Sequence, residues 1–319
     1  MVAIPTIIDP TLLAADRALV ASQEKRFRQY LGMSQIGDEC SRRLWYSFRQ
    51  AQRPRFDATT LKRFADGHAS ELVAVARLSE ADGIELHAVD EAGEQFGFKD
   101  FGGHFSGHMD GVVLGLLQAP KTWHVLEIKA SAKWQDLDKA KKKVGDKNAL
   151  REWNPTYYAQ AVLYMDYAGL DRHYLVCVSP GCRDWTSVRT DADPAWAAVL
   201  KAKAERIIFT DTAPDRIGGP ECYACKKFGG CDFYNICHDG DMAERNCRTC
   251  LHATVERDGG WSCGNFGHSI DKAAQEAGCP SHRFLPSLVP GEQIDVMPHG
   301  ILYRVAGGEW ADTGPEVAL

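Results

Sequence analysis

The chain has 319 residues, enough for one large domain with its own core and an appendage. With 45% hydrophobic and 25% charged residues it reads as an ordinary water-soluble globular protein, and a net charge of −6 excludes a surface coated in basic residues, though not a local basic path. No run approaches the ~20 apolar residues of a membrane span. The N-terminal run MVAIPTIIDPTLLAADRALV lacks the basic start and cleavage site of a secretory signal, so no membrane contact and a cytoplasmic location are expected.

Residues 11 to 31 have helical spacing. Gly37 and Asp38 then mark the entry to a second helix, on which Leu44, Trp45 and Phe48 form an apolar stripe beside Arg42, Arg43 and Arg49. Cys40 falls at the start of that helix, where backbone dipoles favour a thiolate. A third helix is expected over Thr59 to Ala81; Gly67, His68 and Glu71 interrupt its apolar face, and His68 and Glu71, three apart, share one side. Three β-rich runs follow, IELHAV, QFGFKDFGGHFSGHMDGVVLGLL and WHVLEIK, which suit an antiparallel meander. Gly107 and Gly111 would ease a bent strand there and let a ligand approach backbone, while His104 and His108 read as packing or surface residues.

The segment KWQDLDKAKKKVGDK concentrates Lys133, Lys139, Lys141, Lys142, Lys143 and Lys147, either a path for a polyanion or a solvated helix face. Asn154-Pro155 opens the next helix, which ends at Gly169 and places Gln160 and Tyr164 one turn apart, with Tyr157, Tyr158 and Tyr167 as stacking or core surface. RHYLVCVS and RDWTSVRT form a hairpin across Pro180-Gly181, and PAWAAVLKAKAERIIF is an amphipathic helix closing the core. The fold class expected is α/β, a mixed sheet flanked by helices.

At Pro214 the texture changes. Most of the 11 cysteines fall in closely spaced groups, a pattern that favours metal over disulfide in a reducing compartment. Cys222-x2-Cys225-x5-Cys231-x5-Cys237 lies in a Gly-rich segment too polar to build a core, so it needs a metal to fold. A second module, Cys247-x2-Cys250-x12-Cys263-x15-Cys279-x2-His282, has a turn at Gly259-Gly260 and reads as a zinc-ribbon-like Zn²⁺ site. Its ligands are most economically the four thiols, with His282 or His252 as substitutes. The tail from Ile294 to Leu319 holds a last hairpin, IDVMPHGILYRVA.

The strongest chemical signal is Asp110 in one apolar run, followed by Glu127 and Lys129 at the end of another. Strand side chains alternate, so Glu127 and Lys129 face one way while Ile128 enters the core. Burying such charges costs several kcal/mol unless an ion compensates them, and Mg²⁺ or Mn²⁺ held by Asp110 and Glu127 would do so. Water oriented near Lys129 would then be a nucleophile for a phosphodiester. A solvated ion-pair cluster at a strand end is the alternative reading of the same residues.

Asp110, then Glu127-Ile128-Lys129, then Gln160-Ala-Val-Leu-Tyr164, resembles the PD-(D/E)xK nuclease superfamily in its RecB-like and Cas4-like branch, over roughly residues 30 to 240. The resemblance implies a restriction-endonuclease-like core. Asp110 and Glu127, with Ile128 grouped beside them, would hold the metal; Lys129 would position water, and Gln160 and Tyr164 would line the DNA path. It also implies a helix residue near the metal, for which Glu71 and His68 compete. In that branch a cysteine before the core and a cluster after it hold a 4Fe–4S centre, here Cys40 with Cys231, Cys237 and either Cys222 or Cys225. The sequence departs from the family in its extra trailing cysteine, which leaves a zinc site from the four trailing thiols open.

The domains expected are a nuclease core over 1–215, an iron–sulfur segment over 216–240 closing on Cys40, a zinc module over 241–292 and a tail over 293–319. The expected function is a Mg²⁺- or Mn²⁺-dependent exonuclease acting on DNA ends, single- or double-stranded, in recombination, repair or phage and CRISPR-type processing, with protein partners from those systems. A non-catalytic nucleic-acid or partner-binding protein on the same scaffold is the alternative. A redox enzyme lacks any flavin or dinucleotide fingerprint.

Overall fold

A computed structural model describes residues 9–23, 28–226 and 230–314. The first eight residues of the N-terminal run and the end of the expected tail lie outside them. Helix α1 (Pro10–Ser22) starts at Asp9, whose carboxylate accepts from Thr11 and Leu12, and ends well short of the expected boundary, with Leu31 already on strand β1 (Leu31–Gly32). Helix α2 (Ser41–Phe48) is capped by Cys40, whose Sγ accepts from the Arg43 amide at 3.3 Å. Helix α3 (Ala58–Ser79) is capped by Asp57.

The expected meander divides. Its outer run supplies β2 (Glu85–His87), but the Gly-punctuated run splits into β3 (Gly97–Asp100), β4 (Phe105–His108) and β5 (Gly111–Leu114). Strand β4 pairs with β1 and β3 in a sheet of its own, whereas β5 joins β2 and β6 (His124–Ala130). The break falls at Met109-Asp110, between the two sheets.

Helices α4 (Trp134–Val144), α5 (Asp146–Trp153) and α6 (Pro155–Ala168) follow. The signals for α6 act as the sequence predicts: Asn154 accepts from Thr156 and Tyr157, Pro155 occupies the first turn, and Gly169 closes the helix in the left-handed region at φ 64°. The helix crosses back to β7 (Arg172–Val178), which runs parallel to β6, and β8 (Trp185–Asp191) completes the order β2-β5-β6-β7-β8. Cys177 is buried on β7, while Cys182 sits in the β7–β8 turn at φ 53°. Helix α7 (Pro194–Phe209) packs on α6 and α2. The α/β core, a mixed sheet flanked by helices, is therefore present.

Beyond α7 lie the short turn α8 (Tyr223–Lys226), the ribbon β9 (Ala253–Val255), β10 (Trp261–Cys263) and β11 (His268–Ser269), helix α9 (Lys272–Ala277), and an antiparallel sheet β12 (Gly291–Met297), β13 (Gly300–Val305) and β14 (Gly308–Asp312). The expected β9–β10 and β12–β13 hairpins form, and β14 extends the second. One apolar core runs from Trp45 and Phe48 through Leu163 and Leu175 to Cys250, Trp261 and Phe284. Among the described residues no helix is long and apolar enough to cross a membrane.

Candidate active site

Antiparallel pairing of Gly111 with Leu126 brings Asp110, one residue earlier, opposite Glu127, one residue later. Asp110 Oδ2 accepts from the Ile128 amide at 2.7 Å, so the backbone of Ile128 fixes the aspartate while its side chain lies in the core. Glu127 is 3% exposed. Its Oε1 pairs with Lys129 and accepts from Gln160 Nε2 at 3.0 Å; that amide also donates to the Tyr164 hydroxyl at 3.2 Å. Its Oε2 is buried with no hydrogen-bond partner among the described residues. Five of the expected residues thus meet, drawn from β6, α6 and the β4–β5 junction.

Helix α3 adds a sixth. Burial and then the Asp110 charge push the Glu71 carboxyl up, with His68 and Lys129 opposing. Glu71 is half-buried against this cluster and His68 is exposed, so of the two helix candidates Glu71 is the one turned into the site. Burial pushes the Glu127 carboxyl up to about 8, Lys129 opposing and Asp110 adding to it. Burial also raises Asp110, against Lys129 and the Ile128 amide. Burial works to lower Lys129, but Glu127 and Asp110 outweigh it and keep the ammonium charged. Its Nζ stands 5.1 Å from the centre of the Tyr157 ring. Three carboxyl groups thus face one ammonium in a place where burial disfavours their charged forms, and an oxygen-loving divalent cation is what such a set attracts.

The glycines do something other than expected. A Cβ on Gly107 would come 2.8 Å from the Tyr164 ring, and one on Gly111, at φ 151°, would come 2.5 Å from the His87 carbonyl. Both permit packing of protein on protein rather than approach of a ligand. The lysine run is matched by local acids: Lys139 with Asp136, Lys142 with Asp138, Lys143 with Glu152 and Lys147 with Asp191.

Cys40, Cys225, Cys231 and Cys237 line one small cavity with Arg43 and Tyr46, and Cys222 is not in its wall. Cys40 does cap α2, but burial raises its thiol despite the Arg43 amide, so the helix start does not by itself make a thiolate. In the C-terminal module burial, then Cys250, Cys279 and Cys263, push Cys247 up to about 11, which places the four thiols within electrostatic reach of one another. Arg245 donates to His282 Nδ1 at 3.0 Å and Nε2 meets Thr249 Oγ1 at 3.1 Å, so both ring nitrogens serve the protein and the four thiols remain as the candidate set. Among the described residues no group of three or more His, Cys, Asp or Glu side chains is closed up around an ion position. Arg248, between Cys247 and Cys250, is a residue that sequence reasoning missed; it is buried under the ribbon and donates to Phe48 O, Gln29 O and Gln275 Oε1. An arginine between two closely spaced cysteines was its only signal.

No protein-family model matches the chain, and no curated protein matches it. Among solved structures it is similar to the alkaline exonuclease LHK-Exo from Laribacter hongkongensis, at 17% identity and TM-score 0.37 over 60% of this chain and 90% of that one. The complex of LHK-Exo with dAMP gives 16% identity and TM-score 0.39 over 60% and 88%. A phage related exonuclease from Haemophilus somnus 129PT gives 15% identity and TM-score 0.33 over 46% and 69%.

Proposed function

We propose that the protein is a divalent-metal-dependent DNA exonuclease of the PD-(D/E)xK kind, acting at DNA ends. The observation that carries this is the buried, unpartnered Oε2 of Glu127 beside Asp110, Glu71 and Lys129. A buried carboxylate oxygen without a donor costs roughly 1–3 kcal/mol, more if charged, and this chain offers it no protein partner among the described residues. Asp110 and Glu127, with Glu71 beside them, would hold Mg²⁺ or Mn²⁺, which when bound lowers the pKa of water and neutralises charge on phosphoryl oxygens.

The chain's own residues supply the rest. Gln160 fixes the rotamer of Glu127 and is itself braced by Tyr164. Lys129 stays protonated between Glu127 and Asp110, so it orients water and offsets charge on a phosphate rather than removing a proton. Tyr157, whose ring lies beside the Lys129 ammonium, would offer a face for the terminal base.

Two further groups belong to the reading. Cys40, Cys225, Cys231 and Cys237 suit a 4Fe–4S cluster, because four thiols from distant parts of the chain share one cavity. Cys247, Cys250, Cys263 and Cys279 suit zinc. The domain plan is proposed with them: core 1–215, cluster segment 216–240, zinc module 241–292, tail 293–319. A host role in recombination, repair or phage and CRISPR-type processing, in the cytoplasm, completes the proposal.

The test is incubation of end-labelled single- and double-stranded DNA with Mg²⁺, Mn²⁺ or EDTA. Metal-dependent shortening from the ends is expected, with Asp110→Ala, Glu127→Ala and Lys129→Ala each reducing it at least ~10³-fold while remaining folded. Cleavage at wild-type rates in all three variants would place the active site elsewhere.

A further inference from the structure

Strand β4 has the candidate active site at one end and the C-terminal module at the other. At its far end Gly107 rests on the ring of Tyr164, and Met109, whose amide donates to Phe96 O at 3.1 Å, leads directly into Asp110. At its near end stands His104, 2% exposed, whose Nε2–H donates to the Glu256 carbonyl of the β9–β10 turn at 2.9 Å. Its ring meets Trp261 edge-on at 6.2 Å and Phe48 at 5.7 Å. Two residues earlier Gly102 touches Gly259 so closely that a Cβ on Gly259, itself at φ 97°, would lie 2.0 Å from the Gly102 carbonyl.

The ribbon is in turn fixed from the other side. Arg248 sits 4.9 Å from the Trp261 ring and 5.5 Å from that of Phe48, and Arg49 covers Trp261 at 5.4 Å. Arg248 is bracketed by Cys247 and Cys250, and Trp261 precedes Cys263 by two residues. The backbone that aims the thiols therefore also aims the side chains holding the start of β4.

We infer that the C-terminal thiol module is a positioning part of the metal-binding centre, setting Asp110 through β4, with His104 and Trp261 as positioning residues. This rests on reading Asp110 with Glu127 as that centre. A four-residue strand clamped at both ends transmits displacement, because packed interiors are close to rigid. Residues that orient metal ligands commonly change metal affinity about 10–100-fold when altered.

The experiment uses the full chain in three variants. His104→Phe keeps the ring contacts and removes the hydrogen bond; His104→Gln can still donate to Glu256; Gly259→Ala wedges the turn away from Gly102. Mn²⁺ is titrated by electron paramagnetic resonance, with Asp110→Ala subtracting ions bound elsewhere, and deuterium uptake is followed over residues 105–110. Expected are an about tenfold weaker Mn²⁺ site in His104→Phe, partial return in His104→Gln, faster exchange of 105–110 in Gly259→Ala, and a fall in kcat with KM for DNA unchanged. Wild-type Mn²⁺ affinity and wild-type exchange over 105–110 in folded His104→Phe and Gly259→Ala would overturn the inference. A wild-type protein that neither binds Mn²⁺ at Asp110 nor cuts DNA would overturn the proposed function; the exchange rates then decide alone whether the module holds β4.

Discussion

Two buried charged groups in this molecule are handled in opposite ways. Arg248 lies under the ribbon with its guanidinium donating from Nε, Nη1 and Nη2 to four oxygens and covered by two aromatic faces. Glu127 lies between β6 and α6 with one oxygen used and the other unmet. Both are nearly inaccessible, yet the first is complete within the protein and the second is not. Removing the first would leave a hole in a closed network, whereas the second leaves a lone oxygen for which the proposed metal is the partner.

The largest effect should come from Glu127. Its folded-state pKa lies above that of the unfolded chain, so the folded protein holds the extra proton; stability from this group is complete below the ordinary carboxylate range and drains away as pH rises to about 8. Metal-free protein should thus melt at lower temperature at pH 8 than at pH 5. A divalent cation displaces that proton, so the stabilisation by Mg²⁺ should grow across the same window. Glu127→Gln should flatten both trends and lower cleavage by about 10³-fold or more. Calorimetric melts at a series of pH values, with and without Mg²⁺, check this; a wild-type pH profile that Glu127→Gln leaves unchanged would break the contrast with Arg248.

Much of this centre was legible in the sequence because its signals are local. Charges at Asp110, Glu127 and Lys129 interrupt apolar runs, and Asn154-Pro155 and Gly169 bound the helix that carries Gln160 and Tyr164. What was not legible depends on distant partners. Gly107 reads as flexibility until Tyr164 is seen against it, 57 positions later in the chain by number. The split of the meander into two sheets depends on β1 pairing with β4, 74 positions apart at Leu31 and Phe105, which no local pattern announces. Arg248 is an unremarked residue between cysteines until its guanidinium is found donating to the Phe48 carbonyl, 200 residues away.

Arg248 should give the next largest effect, and on stability rather than chemistry. Arg248→Met removes the charge and keeps much of the stem, but takes away the donor that Arg248 supplies to the Phe48 carbonyl and the Gln275 side chain. Breaking such a buried network costs about 3–5 kcal/mol. Urea unfolding should show a lowered midpoint, with Mg²⁺ stabilising wild type and variant by comparable increments. A variant as stable as wild type would mean that the two buried charges differ less than the geometry indicates.

The smallest effect is expected at Cys222, and it sharpens the same distinction between groups with and without an internal partner. Cys222 lies outside the wall of the cavity that Cys40, Cys225, Cys231 and Cys237 share, and the Cys225 backbone amide, outweighing burial, draws its thiol down. Cys225, by contrast, is raised to about 11 by burial, by Cys222 and by the thiols of Cys231 and Cys40. Four sulfurs complete a cubane cluster and a fifth has no site on it. In protein purified without oxygen, the proposed cluster predicts that Cys225→Ser and Cys40→Ser lose the brown colour and much of the folded yield, because binding of such a cluster and folding of the segment that holds it would be one event. Cys222→Ser should keep both. Absorbance across the visible range and iron content measured on the three proteins decide it: loss of iron in Cys222→Ser with retention in Cys225→Ser would exchange the two residues, and zinc in place of iron in the parent protein would assign the cavity to a tetrahedral thiolate site instead.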